Sequence, residues 1–294
     1  MDSLVVLKSK EDDSVNFVSR REGPGFFEAR YVRRRPDYFV AYLSSQSGCA
    51  QACRMCHLTA TGQNLDVDAL PKDFLLQAQR VLEWYDQSGK EAKVVHFNFM
   101  ARGEPLKNRW LREEGDKVLE LLATEALSRS LFPRYLISTI MPVGMKYNFR
   151  LTDSFKVFHP EIYYSVYSVD EAFRRRWLPF AMPVKGALLI LKDYQEMTSK
   201  IPKLHWAFIR GQNDSAESMA RLCDAVNGIG LRVDVNIVRY NPYSEKYGEE
   251  SGEDVIYRNA EILKTSLPLS NVQVVKRVGF DVMASCGMFV GQKF

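Results

Sequence analysis

From Phe39 onward, short apolar runs alternate with helix-period segments, and this alternation is the strongest constraint on the fold. Runs of strand length, rich in β-branched or aromatic residues, occupy 39–43, 94–99, 134–140, 162–167, 204–209, 233–238 and 272–275. Between them lie helical patterns. Phe74, Leu75, Ala78, Val81, Leu82 and Tyr85 recur on one face, with Asp68 and Pro71 near the start. Segments 108–127, 184–198, 215–227 and 254–265 read the same way. Regular strand–helix alternation means βαβ units and a parallel sheet. Roughly six units suit an α/β fold built as a full or partial barrel. The first 35 residues read differently, as short strands at 3–8, 15–20 and 26–33. They are too few to bury a core alone. The expected organisation is an N-terminal β extension over 1–38 and a barrel over 39–294.

Composition narrows the class. The chain has 294 residues, 46% of them hydrophobic and 26% charged, which argues against disorder. No apolar run approaches the ~18 residues of a membrane helix. The opening MDSLVVLKSKEDDS is too short in its apolar part, and too acidic after it, for a signal peptide. The expectation is a soluble cytoplasmic protein with no membrane partner. A net charge of +4 is compatible with nucleic acid without requiring it.

Five cysteines cannot all pair into disulfides. Cys49, Cys53 and Cys56 form a C-x3-C-x2-C triplet just beyond the first barrel strand. Active sites of α/β barrels gather on the loops at that end of the strands. Soft thiolates select zinc or iron–sulfur. A zinc site would need a fourth ligand such as His57, and no second C-x2-C pair exists. A [4Fe–4S] cluster held by three cysteines would keep one iron open for a small molecule. Cys223 lies among apolar neighbours in a helical stretch and reads as a core residue.

The triplet spacing resembles that of radical S-adenosylmethionine (SAM) enzymes, and the surrounding residues resemble the RlmN/Cfr family of RNA adenine methyltransferases. Ser44-Ser45-Gln46-Ser47-Gly48-Cys49 and Thr59-Ala60-Thr61-Gly62 frame the triplet. Gly103-Glu104-Pro105-Leu106 with Asn108, Ile137-Ser138-Thr139, Ser165 with Leu178-Pro179, Asn213-Asp214, and Asn241-Pro242 follow in order. Gly279-Phe280-Asp281 and Ala284-Ser285-Cys286-Gly287 complete the series. The resemblance spans about residues 39–290.

The resemblance implies a partial (β/α)6 radical SAM barrel whose open iron chelates SAM. It implies SAM contacts from Gly103, Glu104, Ser138, Ser165 and Asn241. It makes Cys286 the catalytic methyl carrier to an adenine of rRNA or tRNA. It also implies an electron donor such as a flavodoxin or ferredoxin; a monomer is expected. Taken alone, each strand-end residue reads equally as a cap or turn residue.

The pattern departs at one chemical position. The family carries a second catalytic cysteine seven residues before the first cluster cysteine, where this chain has Tyr42. A phenol exchanges protons but forms no disulfide with Cys286. Tyr167 also replaces a family histidine, and about forty residues stand where the family has a larger accessory RNA-binding domain. Glu28 aligns, to within one position, with an acidic pocket residue of the family. A different substrate or reaction, or an RNA-binding relative without catalysis, therefore stays open. Two basic runs, Arg30/Arg33/Arg34/Arg35 with Arg20 and Arg21, and Arg174–Arg176, interleave with Tyr31, Tyr38, Phe173 and Trp177. They read as phosphate contacts or as solvated faces.

Overall fold

A computed structural model describes residues 4–20, 25–145 and 149–291; Arg21 lies outside them. Three antiparallel strands open the chain, β1 Leu4–Lys8, β2 Val15–Arg20 and β3 Phe26–Arg35. β4 Tyr38–Tyr42 pairs antiparallel with β3 and starts a parallel series. The series continues with β5 Val94–Phe99, β6 Phe132–Thr139, β7 Glu161–Ser165, β8 Lys203–Trp206, β9 Asp234–Ile237 and β10 Val272–Val274. All ten strands form one sheet in sequence order. The N-terminal strands thus extend the barrel's own sheet through the β3–β4 ladder.

The helices are α1 His57–Ala60, α2 Pro71–Gln87, α3 Arg109–Leu127, α4 Leu151–Ser154, α5 Glu171–Trp177, α6 Val184–Thr198, α7 Ala216–Asn227 and α8 Glu253–Ser266. Local chemistry sets their starts. Asn108 and Ser215 accept backbone N–H groups at the N-caps of α3 and α7. Pro71 opens α2, where the Asp73 carboxylate accepts the Leu70 N–H at 2.9 Å. The expected helices stand within a few residues of these bounds. The short α1, α4 and α5 went unread, because one or two turns carry too little periodicity.

Strand alternation divides the sheet into two faces. Phe39, Ala41, Val95, Phe97, Ile137, Ile162, Tyr164, Leu204, Val235 and Ile237 bury against the helices in the main core. The opposite residues, among them Tyr38, Tyr42, His96, Asn98, Tyr163, His205 and Asn236, line a cavity of about 610 Å³. Filled (β/α)8 barrels pack Val, Ile and Leu in their interior. Most residues lining this interior are polar or charged, a composition suited to a ligand and not to a dry core. Cys223 is buried on α7, in the core.

The chain from 275 to 291 has no regular element, yet polar ties hold it. The Asp281 carboxylate accepts from the Ser9 hydroxyl and the Lys10 N–H, both at 2.8 Å. Gly279 donates its N–H to Asp12 at 2.7 Å and has φ +65; a Cβ there would stand 2.7 Å from that of Ala284. The Gly-Phe-Asp motif is therefore a docking device for this segment.

Glu28 anchors the same segment. Its carboxylate has no solvent exposure and accepts from Arg30 and Asn16 at 2.9 Å, Arg102 at 2.8 Å and Val290 N–H at 3.2 Å. Removing a buried charge strands its partners at a cost of about 3–5 kcal/mol. Glu28→Gln should lower unfolding stability by about that amount in a urea titration. A loss below about 1 kcal/mol would show the network to be dispensable.

Candidate active site

The cysteine loop leaves β4 and is fastened on several sides. Ser44 N–H donates to Gln77 Oε1 at 2.7 Å, and the Ser44 hydroxyl donates to the Glu28 carbonyl at 2.7 Å. Cys49 N–H donates to the Gln63 carbonyl at 3.0 Å, and Cys56 N–H to the Cys53 carbonyl at 3.0 Å. Arg102, 1% exposed, spans the loop by donating to the Ser47 carbonyl, Gln63 Oε1 and Glu28. Asn108 Nδ2 donates to the Ser45 and Ala69 carbonyls at 2.7 and 2.9 Å.

Cys49, Cys53 and Cys56 are free thiols. Burial pushes each one up, and neighbouring thiols push Cys49 and Cys53 further: Cys56 acts on Cys49, and both Cys49 and Cys56 act on Cys53. Cys56 is held at about 11 by burial, with Cys286 adding to the rise and Arg102 opposing it. The three thiols therefore share one neighbourhood, and bound cations would be needed to hold them as thiolates. Among the described residues no three His, Cys, Asp or Glu side chains converge on a single ion. A cubane cluster gives each thiolate its own iron, so it needs thiols around a volume and not at a point. The donor set fits such a cluster. His57, the alternative zinc ligand, has Nε2 3.1 Å from the Asn241 carbonyl oxygen.

Cys286 comes to this loop from the far end of the chain. It packs with Cys53, Met55 and Tyr167 in one apolar cluster and lines the cavity. Burial pushes its thiol up, while a hydrogen bond with the Tyr167 side chain and the charges of Arg30 and Arg34 oppose the rise. Its carbonyl accepts from Asn241 Nδ2 at 2.9 Å, and Gly287 carbonyl accepts from His57 N–H at 2.9 Å. Tyr167, at φ +52, is strained for an aromatic residue. Asn213 holds it there by donating to its carbonyl at 2.7 Å.

The expected SAM residues occupy distinct settings. Asn241 lines the cavity, and its buried Oδ1 has no partner; Gln51 Oε1, in the cysteine loop, is likewise buried without one. Ser138 donates to Asn98 Oδ1 at 3.2 Å, and its strand partner Tyr163 lines the cavity. Ser165 is the strand partner of cavity-lining His205. Gly103 serves the protein's own packing. At φ +96, a Cβ would lie 2.6 Å from Gln46 N and Ser45 Oγ. Glu104 accepts from Leu106 N–H at 3.1 Å and Ile140 N–H at 3.0 Å, one on each oxygen. Burial pushes its carboxyl up to about 7 against these hydrogen bonds and one from Thr139.

Tyr42 accepts from Arg34 Nη1 at 3.2 Å, and both line the cavity with Cys286. His96 and His205 also line it; burial lowers them to about 4 and about 3, so both are neutral at pH 7. The structure corrects two residues of the basic runs. Arg30, 3% exposed, is spent on Glu28 and the Met288 carbonyl, and Arg174, 2% exposed, on the Val166, Ser168 and Met182 carbonyls. The sequence reading missed Gln51, the pairing of Arg34 (placed only in a basic run) with Tyr42, and the thiol partner role of Tyr167. Only Tyr167's replacement of a histidine signalled anything there.

No family model matches the chain. It is 28% identical over 293 residues to "Probable RNA methyltransferase RB6963" of Rhodopirellula baltica, covering 98% of this chain and 73% of that protein. It is 23% identical over 290 residues to "Probable dual-specificity RNA methyltransferase RlmN" of Lachnospira eligens, covering 98% and 77%. Among solved structures, a radical SAM methyltransferase from Sphaerobacter thermophilus superimposes with a TM-score of 0.82 at 19% identity, over 98% of this chain and 80% of that one. The fold is that of the radical SAM class. Within it the chain is similar to the curated RlmN-like RNA methyltransferases.

Gly103→Ala should destabilise the protein by about 1–3 kcal/mol from backbone strain alone, read in a denaturant melt. Glu104 gives a pH test. Its folded value of about 7 lies above the ordinary 4.5, so its stabilising contribution is complete below 4.5 and is lost as pH rises towards 7. Glu104→Gln should therefore gain stability relative to wild type on going from about pH 5 to about pH 8. Parallel urea midpoints for the two proteins across that range would contradict the assignment.

Proposed function

We propose that this chain is a radical SAM enzyme that methylates an adenine of RNA, with Cys286 as the methyl carrier. The observation that carries the reading is the meeting of Cys286 with the cysteine loop. Residues from opposite ends of the sequence place a fourth thiol beside the triplet, at the wall of a polar cavity. The names of the curated relatives support RNA as substrate.

Cys49, Cys53 and Cys56 would each hold one iron of a [4Fe–4S] cluster and leave the fourth iron to SAM. When bound, the cluster and SAM supply one-electron cleavage of a sulfonium and a carbon-centred radical. The protein's own residues bind, orient and exclude water. The unpartnered Oδ1 of Asn241 is placed to accept a hydrogen bond from SAM, and Ser138 and Ser165 offer hydroxyls from the same face. Gly103 and Glu104, also expected to contact SAM, shape the strand ends that hold it. The apolar packing of Met55, Tyr167 and Trp177 keeps water from the reacting sulfur. A base taken from an unpaired or flipped-out nucleotide would enter the cavity, with Arg34, Arg35 and Lys276 placed for its phosphates. The working unit would be a monomer in the cytoplasm; among the described residues no helix is long and apolar enough to cross a membrane.

Tyr42 favours a second reading, a radical SAM reaction on another substrate. Its phenol is held by Arg34 and cannot resolve a Cys286 adduct as a disulfide. Anaerobic reconstitution with SAM and reductant separates the two. Expected results are iron with absorbance near ~400 nm, 5′-deoxyadenosine formation, and an S-methyl group on Cys286 by intact-protein mass spectrometry. Cys286→Ser should abolish RNA methylation and keep the iron. RNA methylated by Cys286→Ser, or radical cleavage without any RNA product, would move the assignment to the second reading. A cluster without SAM cleavage on any RNA would mark a binding relative.

A further inference from the structure

The cysteine loop carries one exposed residue between two of its cysteines, Arg54. Its guanidinium sits over the ring of Trp177 at 5.4 Å and over Tyr247 at 5.8 Å. Arg176 covers Trp177 at 5.6 Å, and Lys246 covers Tyr247 at 5.0 Å. The side chains thus form a ladder in the order Arg176, Trp177, Arg54, Tyr247, Lys246. Hydrogen bonds fix it: Arg54 N–H donates to the Trp177 carbonyl at 2.9 Å, and Arg54 Nη2 to the Lys246 carbonyl at 3.1 Å.

The ladder's cations, with Arg175, are exposed, and none lines the cavity. Among the described residues none has a carboxylate within ion-pair distance. Glu171, one turn before Arg175 on α5, and Glu245 are acids close to these cations in sequence, and neither is paired with them; Glu249 pairs with Arg210. A positive patch without ion pairs among the described residues therefore stands over the cysteine loop. Trp177 is buried and packs in the same apolar cluster as Cys53.

We propose that this patch docks an acidic one-electron carrier protein that reduces the cluster. The inference rests on the cluster reading above. In the encounter the carrier gives up one electron and the cluster gains one, with no atom transferred. Placement favours this partner: a carrier seated on Arg54 is separated from the ligands by the Cys53–Cys56 backbone and the Trp177 ring. Recognition of RNA single strands uses aromatic faces open to stacking bases. Here cations already cover the ring of Tyr247, and Trp177 is internal. Electron-transfer encounters are small and charge-steered, as such a patch allows.

The test uses a flavodoxin hydroquinone as the probe and Arg176→Glu/Lys246→Glu as the variant. The double variant spares the Arg54 hydrogen bonds, and Arg54→Gln is the second variant. Stopped-flow bleaching of the reconstituted protein should be about ten-fold slower or more in the double variant at low salt, with a flattened salt dependence. Reduction by dithionite and binding of RNA should match wild type. Titration of flavodoxin into protein before iron loading should show the same loss of affinity, so the surface is tested even if the cluster reading fails on iron content. Equal rates and affinities in wild type and variant would overturn the proposal, as would a wild type that does not bind flavodoxin. RNA affinity that falls while flavodoxin binding holds would overturn it in favour of a nucleic-acid surface.

Discussion

A single buried carboxylate holds the architecture of the site together. Glu28 neutralises one of two buried guanidiniums, Arg30 on its own strand and Arg102 from a distant turn, and through them the network ties together distant parts of the chain. Arg102 reaches from the turn after β5 to the cysteine loop through Ser47 and Gln63. Arg30 reaches the C-terminal segment through the Met288 carbonyl, and Glu28 itself takes the Val290 N–H. Charges this far from water are tolerated only when fully paired and hydrogen-bonded. The network therefore fixes geometry more than it adds stability. It sets where the cysteine loop and the Cys286 segment sit relative to each other.

The rest of the site follows from that placement. A sheet with an apolar outer face and a polar inner face leaves the inner one lined with Tyr, His, Asn and Arg. Cys286 closes one end of this space because Asn241, His57 and Tyr167 grip its backbone segment and its thiol. Strain at Tyr167 is consistent with a residue whose position matters more than its comfort. Conserving the strand frame while changing Tyr42 alters chemistry without disturbing packing, since Tyr42 points into the cavity and its neighbour Ala41 into the core.

Much of this was legible beforehand. Strand 94–99 and helix 184–198 match their observed bounds, because both carry long, clean periodicity. The triplet was legible because three cysteines at such spacing have few physical explanations. The motif asparagines were visible, but their work was not. Asn108, Asn213 and Asn241 each brace loop backbone across elements, which no local pattern announces. The arginine runs misled for the same reason. Arg30 and Arg35 stand five residues apart in one strand, yet one is internal and the other exposed; the difference lies in Glu28 on the same strand and the irregular register between Val32 and Arg35.

The docking of the 278–290 segment onto the first strands has a consequence for biosynthesis. Its partners Ser9, Asp12, Asn16, Glu28 and Arg30 leave a ribosome more than two hundred and fifty residues before Cys286. During most of translation the Glu28 network is incomplete, and the first strands have no lid. Closure of so long a loop is a late event. The three loop cysteines are therefore made long before the fourth thiol that packs beside them, and the site is complete only after the segment carrying Cys286 has docked.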